Sequence, residues 1–113
     1  MSERIEIVTE VTILPTGMEL DDIEMHHFAV KVVWRGPRTE TGSGGYAVIK
    51  DGERHMSKQG KWRWNPEPFI RRHYRWEHLE EALAAAREVV DTLTVTGRTF
   101  EQWLELRAAR TEQ

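Results

Sequence analysis

Lys31 and Arg35 stand at odd positions of a segment whose even positions are Phe28, Val30, Val32 and Trp34. Lys61 and Arg63 flank Trp62 and Trp64 in the same way. On extended backbone, successive side chains point to opposite faces. Each segment therefore separates an aromatic or aliphatic face from a cationic one. If both apolar faces turn to one core, the four cations emerge together on the uncovered face of a sheet. Cations so arranged neutralise phosphates, and such a face can enter a DNA major groove or track a nucleic-acid backbone. Arg38 in the following loop and the Arg71-Arg72 pair add peripheral phosphate contacts. The candidate nucleic-acid-binding residues are thus Lys31, Arg35, Arg38, Lys61, Arg63, Arg71 and Arg72.

The charge distribution points the same way. Eleven of the sixteen Lys and Arg residues lie between Phe28 and Trp76, opposed only by Glu40, Asp51, Glu53 and Glu67, a formal +7. Residues 1–27 carry −6 and residues 77–113 carry −4, so the overall −3 conceals a charge dipole along the chain. Local charge, not the total, steers a partner. A pI of about 6.0 weighs against a dedicated DNA-binding domain, and two other readings fit the same cations. One is a basic surface for an acidic protein partner. The other is plain solvation of a sheet face guarded against edge-to-edge aggregation. The acidic N-terminal segment could also cover the basic face.

Other chemistries have less support. Trp34, Trp62, Trp64 and Trp76 could stack on bases of a single strand. Alternation assigns Trp34 and Trp62 to the core and leaves Trp64 and Trp76 open between core and surface. His26 and His27 are adjacent and diverge on an extended chain. His73 and His78 are five apart, not the three or four that brings two ligands to one helical face, so no metal site is expected. The chain has no cysteine, which excludes disulfides, thiolate zinc sites and a thiol nucleophile. Gly42-Ser43-Gly44-Gly45 lacks a following helix and a Lys-Ser/Thr pair, and reads as a hairpin loop rather than a phosphate cradle. Ser2, Ser43 and Ser57 lie in no nucleophile-elbow context. Asp21, Asp22 and Glu24 cluster in a segment that reads as too exposed to tune a carboxylate. The expectation is a non-enzymatic protein without a cofactor.

The elements that position the cations follow from periodicity. Ile5, Ile7, Val11 and Ile13 predict a strand from about Arg4 to Leu14, closed by Pro15 and Gly17. Met18–His27 reads as an acidic connector with room for one helical turn. Phe28–Arg35 is the clearest strand, ended by Gly36-Pro37. Tyr46–Lys50 is a strand, Asp51-Gly52 a two-residue hairpin turn, and Arg54–Ser57 the returning strand. Gln59-Gly60 turns again into Lys61–Trp64, and Asn65-Pro66-Glu67-Pro68 stops the sheet. Pro68 opens a short helix to about Tyr74. Leu79, Ala82, Leu83, Ala86, Val90 and Leu93 form one stripe of a helix from Glu77 to about Leu93. Thr94–Thr96 is a short extended piece broken by Gly97. Thr99-Phe100-Glu101-Gln102 is a capping box opening a last helix with Phe100, Trp103 and Leu104 as its packing face. The tail beyond Arg107 should fray.

These elements predict an α+β fold: an antiparallel three- to four-stranded meander, one main helix packed on one face, and a short C-terminal helix. The length fits one domain over residues 1–113. It divides into an N-terminal strand and acidic connector (1–27), an antiparallel sheet (28–64) and a helical part (68–110).

From Phe28 to about Leu106 the chain resembles small uncharacterised proteins of actinobacteria and their phages. The resemblance rests on Phe28-Ala29-Val30 with Val33-Trp34-Arg35-Gly36, on Gly45-Tyr46-Ala47-Val48, and on Gly60-Lys61-Trp62-Arg63-Trp64 with Pro66 and Pro68. It continues through Tyr74-Arg75-Trp76, Leu79-Glu80-Glu81-Ala82-Leu83 and Val95-Thr96-Gly97-Arg98-Thr99. It covers about two-thirds of the chain, excludes the acidic first 27 residues, and implies an actinobacterial or phage origin without an activity. The layout of strands followed by an aromatic-x-x-Leu-Glu-Glu-Ala helix is similar to AP2-type and integrase arm-binding domains. That similarity implies DNA reading by the outer sheet face.

The leading expectation is nucleic-acid association, DNA or RNA, through a basic open sheet face. The alternative is a protein-interaction module, such as a phage factor that binds and modulates a host protein. Its contact would be the acidic Glu19–Glu24 segment or the Trp64/Trp76 region. No signal peptide or membrane span is expected, and the lack of cysteine makes a cytoplasmic location the natural expectation.

Overall fold

The computed structural model describes residues 3–22, 25–40 and 42–111. Ser2 and Glu24, among the side chains weighed above, lie outside those residues. The chain folds as α+β. Strands β1 (Glu10–Ile13), β2 (Val30–Trp34), β3 (Tyr46–Lys50), β4 (Arg54–Met56) and β5 (Trp62–Trp64) form one antiparallel sheet in sequential order. A small ribbon pairs β6 (Thr94–Val95) with β7 (Arg98–Thr99). Helices α1 (Met25–Phe28), α2 (Leu79–Val90) and α3 (Phe100–Thr111) and a 3₁₀ segment, Pro68–Tyr74, complete the described elements.

The meander has five strands rather than three to four, because β1 joins β2 as an edge partner with Val11 opposite Val32. Pairing reaches back only as far as Glu10, not to Arg4. The Trp34 N–H donates to the Thr9 carbonyl at 2.8 Å, and Gly36-Pro37 then turns the partner strand away. Upstream of Thr9 the described residues pair with no strand, and Ile5 is 83% exposed despite its alternating pattern. Phe28 ends α1 instead of opening β2, and buries its ring edge-on against Phe100 at 5.5 Å. The hairpin after β3 keeps positive φ at Asp51 and Gly52 but contains a third residue, Glu53, because Lys50 pairs with Arg54.

The C-terminal helix is not short. Helix α3 has twelve residues, as many as α2. The expected capping box opens it: the Thr99 N–H donates to Gln102 Oε1 at 2.9 Å, and the Gln102 N–H donates to Thr99 Oγ1 at 3.3 Å. Beyond Arg107, where fraying was expected, the helix continues to Thr111. Arg107 binds the Asp22 carboxylate at 3.3 Å, and the Ala-Ala-Arg sequence that follows favours helix. The described part of the acidic connector thus sets Asp22 against α3, while its His26 and His27 line a cavity with Lys31.

One core lies between the sheet and α2. Val30, Val32 and Val48 from the sheet meet Ala82, Leu83, Ala86 and Val90 from the helix, with Phe28, Met56, Trp76, Leu93 and Phe100 closing the ends. Truncating a ring as buried as Phe100 would cost about 3–5 kcal/mol.

One close approach fixes the rim of the sheet. The Gly45 N–H donates to the Gly36 carbonyl at 2.8 Å, bringing the two ends of the Arg38–Ser43 loop together. A Cβ at Gly44 would lie 1.9 Å from the Pro37 carbonyl oxygen, so no side chain fits. Gly44→Ala should therefore lower stability by about 3 kcal/mol, the upper end for overpacking. Gly52→Ala, which has positive φ but open space around it, should lose only about 1–2 kcal/mol. Urea denaturation midpoints test the order; equal losses would mean that the loop does not close this way.

Candidate functional site

The sheet has two faces, and register assigns each cation. Val11, Ile13, Val30, Val32, Val48 and Met56 point toward α2, whereas Lys31, Arg35, His55 and Arg63 occupy the opposite, outer face. The segregation expected from alternation is present. The outer face is not bare, however. Ala47, Ile49 and His55, at 0%, 7% and 3% exposure, are buried on it.

Part of the covering comes from a segment that sequence patterning assigns to a helix end. Tyr46 and Trp76 exchange two backbone hydrogen bonds, each 2.8 Å, and form an antiparallel bridge. β4 pairs with β3 only at Ile49 and Lys50, so residues 74–76 take the place beside the first half of β3. Trp76 then faces the core at 8% exposure, which resolves its open assignment. Arg75 necessarily points the other way, onto the outer face, and is 5% exposed.

Arg75 is held by backbone, not by a carboxylate. Its Nε donates to the Ser43 carbonyl at 2.9 Å and its Nη1 to the Tyr74 carbonyl at 3.2 Å. It lines a cavity of about 240 Å³ together with Arg35, Arg71, His55, Glu53, Ser43 and Asn65. Arg71 is likewise tethered by Nε, which donates to the Pro66 carbonyl at 2.9 Å. Arg35 lies 3.5 Å from Glu53 Oε2. Three guanidinium groups thus share one cavity with a single carboxylate.

The titration behaviour follows from that imbalance. Burial, then the charges of Arg35 and Arg71, lower the Arg75 pKa to about 10, and Glu53 offsets them in part. His55 donates from Nδ1 to the Glu53 carbonyl at 2.8 Å, since a carbonyl can only accept, and its Nε2 is 3.9 Å from Glu53 Oε2. Burial lowers the His55 pKa, the Glu53 carbonyl bond opposes that, and Arg75 and Arg35 lower it further. Neutral His55 with its proton on Nδ1 is the form the fold prefers.

The seven expected site residues divide. Arg35 and Arg71 come together in the Arg75 cavity. Arg63 stands opposite His55 on β5, exposed, with Lys61 two residues before it; neither side chain makes an ion pair among the described residues. Arg38 and Arg72 are exposed at the rim, Arg72 donating to the Phe69 carbonyl at 3.3 Å. Lys31 belongs elsewhere. Its Nζ is 4.0 Å from Glu10 Oε2, and it lines a separate cavity with Glu10, His26, His27 and Asp51. Among the described residues no group of three His, Asp or Glu side chains could hold a metal ion, and no helix is long and apolar enough to cross a membrane.

Arg75, His55 and Glu53 are the site residues that sequence reasoning missed. The available signal was Tyr74-Arg75-Trp76, an alternation that places Arg75 opposite two aromatics once it is read as extended. Of the tryptophans, Trp62 packs on the core with Lys50 Nζ 4.4 Å from its ring centroid. Trp34 is half-buried, and Trp64 is 60% exposed under Arg54. No family model, curated protein or solved structure matches the chain.

A pH dependence follows from His55. Its folded pKa lies below the unfolded value, so the unfolded state binds the proton first as pH falls. Stability is then full above about pH 6.5 and declines below it. Thermal midpoints measured from pH 7.5 to 5 should fall, and His55→Gln should flatten that part of the profile. An identical slope in the variant would remove His55 as the cause.

Proposed function

We propose that the protein is a non-enzymatic binding protein that associates with nucleic acid through phosphate contacts on the outer sheet face. One observation carries this reading: the guanidinium groups of Arg35, Arg71 and Arg75 line one cavity against the lone carboxylate of Glu53. Exposed Lys61 and Arg63 extend the positive surface along β5, and Arg38 and Arg72 extend it at the rim. Arginine is the side chain suited to phosphate, because its planar fork delivers two parallel N–H bonds and it stays charged. The rival is an acidic protein surface. Against it, a planar carboxylate is satisfied by one guanidinium fork, whereas three guanidiniums around one cavity suit a tetrahedral anion better.

The test is binding of labelled random duplex DNA, single-stranded DNA and RNA at 50–200 mM salt, the range over which counterion release acts. Affinity should fall with salt along a straight log–log line. Reversing both edge charges, Lys61→Glu with Arg63→Glu, should reduce the steepness by about 0.9 per lost contact on duplex and about 0.7 on single strands. The thermal midpoint should stay nearly constant, since both side chains are exposed and make no ion pair among the described residues. Absence of binding at the lowest salt sinks the reading.

A further inference from the structure

We propose that the Arg35–Arg71–Arg75 cavity is a seat for a single phosphate group, which takes the place of Glu53 as partner of Arg35. The inference rests on the nucleic-acid reading for the source of that phosphate, and the arms of the experiment separate the two.

The geometry assigns distinct roles. Arg75 is the fixed floor: it is 5% exposed, and two of its N–H groups are committed to the carbonyls of Ser43 and Tyr74. Its Nη2 has no protein partner among the described residues, yet no buried side-chain nitrogen there is left unsatisfied. That nitrogen is therefore not sealed from solvent, and Arg75 lines the cavity. Arg71 is half-fixed, its Nε bound to the Pro66 carbonyl and both terminal nitrogens without a protein partner among the described residues. Arg35 is the adjustable wall, loosely paired to Glu53 at 3.5 Å, longer than a tight charge-assisted bond. Charge and size agree with this. Three guanidiniums against one carboxylate leave two positive charges, which a free or terminal phosphate dianion balances fully and an internal phosphodiester balances by half. The cavity's roughly 240 Å³ equals about eight waters at ~30 Å³ each, room for a phosphate and a few waters.

Burial makes the seat selective. A guanidinium kept from water without a carboxylate is poorly solvated, which is why the Arg75 pKa is pushed down to about 10. An anion that reaches it relieves that cost, and the donors are already placed. Bulk chloride lacks the several acceptor oxygens needed to bridge three guanidiniums.

The experiment titrates inorganic phosphate, against sodium chloride of equal ionic strength, into the full chain. It follows the Arg75 Nε–H and His55 ring resonances by NMR and the thermal midpoint in parallel. Phosphate should shift both resonances saturably and raise the midpoint; chloride should not. Arg71→Gln should weaken phosphate by about tenfold or more, the loss expected for a charge-assisted hydrogen bond. Arg87→Gln, at an exposed arginine on α2 outside the site, should leave it within about twofold. Because Arg75→Gln could unfold the chain, Arg71→Gln is the deciding variant. Phosphate behaving like chloride, or binding Arg71→Gln as it binds the wild type, overturns the pocket.

Oligonucleotides of one sequence, with either a 5′-phosphate or a 5′-hydroxyl, identify the source. Tighter binding of the phosphorylated form, lost in Arg71→Gln, marks a terminal phosphate. Equal binding with the same loss marks an internal one, and both support the seat. Phosphate binding with neither oligonucleotide bound keeps the seat and removes the nucleic-acid reading. Oligonucleotides bound equally by wild type and Arg71→Gln, with no phosphate effect, remove the seat and keep the face. Poly-glutamate displacing phosphate more strongly than either oligonucleotide overturns the phosphate assignment in favour of an acidic protein.

Discussion

Two hydrogen bonds between Tyr46 and Trp76 join the halves of this molecule. The sheet is built before residue 65 and the helices mostly after it, so the chain must return to the sheet to close the core. It returns as extended backbone beside the first half of β3, where β4 is too short to reach. Extended backbone alternates, so a single pairing event decides two things together. Trp76 enters the core and launches α2 across it, while Arg75 is driven onto the opposite face. Gly45 is part of the same constraint, because a Cβ there would sit 2.6 Å from the Trp76 carbonyl oxygen.

Burying Arg75 is costly, and the surroundings offset that cost by hydrogen bonding and not by charge. A carboxylate within reach would have made an ordinary structural ion pair and left little for a ligand to gain. Glu53 instead sits nearer Arg35 and His55, and its attraction for Arg75 is smaller than the repulsion from Arg35 or Arg71. The site is therefore held in an under-neutralised state by the same contacts that fold it. Neutral His55 fits this arrangement, since a second buried cation there would add to the imbalance.

The sequence pattern was most legible where periodicity is strict. The β2 and β3 faces, the α2 stripe and the Thr99–Gln102 capping box follow directly from residue spacing. It was least legible where tertiary pairing overrides local preference. Ile5 and Ile7 alternate like a strand, yet alternation cannot reveal that β2 ends before it reaches them. The Asp51-Gly52 signal located the hairpin but not its third residue, and that residue, Glu53, carries the cavity's only carboxylate. Lys31, Arg35 and Arg63 share one face, but the face is divided. Lys31 is engaged by Glu10 across the β1–β2 pair, a partnership visible only once β1 is in register. The linear pattern gives Arg75 a charge but no position, because its placement depends on a bridge between residues thirty positions apart.

The use of arginine at each wall explains how the cavity can be both rigid and hungry for an anion. Arg75 and Arg71 are each anchored through Nε to a backbone carbonyl, of Ser43 and Pro66. A carbonyl fixes the plane of the guanidinium without removing its charge, and the remaining N–H groups stay aimed by that plane. Lysine could not do this. Its ammonium is a point donor on a flexible stem, so a bond to one carbonyl would leave the direction of the others undefined. The two anchoring carbonyls belong to loops that glycine and proline hold in shape, Gly42–Gly45 on one side and Asn65–Pro68 on the other. The loops that looked like punctuation between strands are therefore what orients the charge, and the cation nearest the core depends on them most.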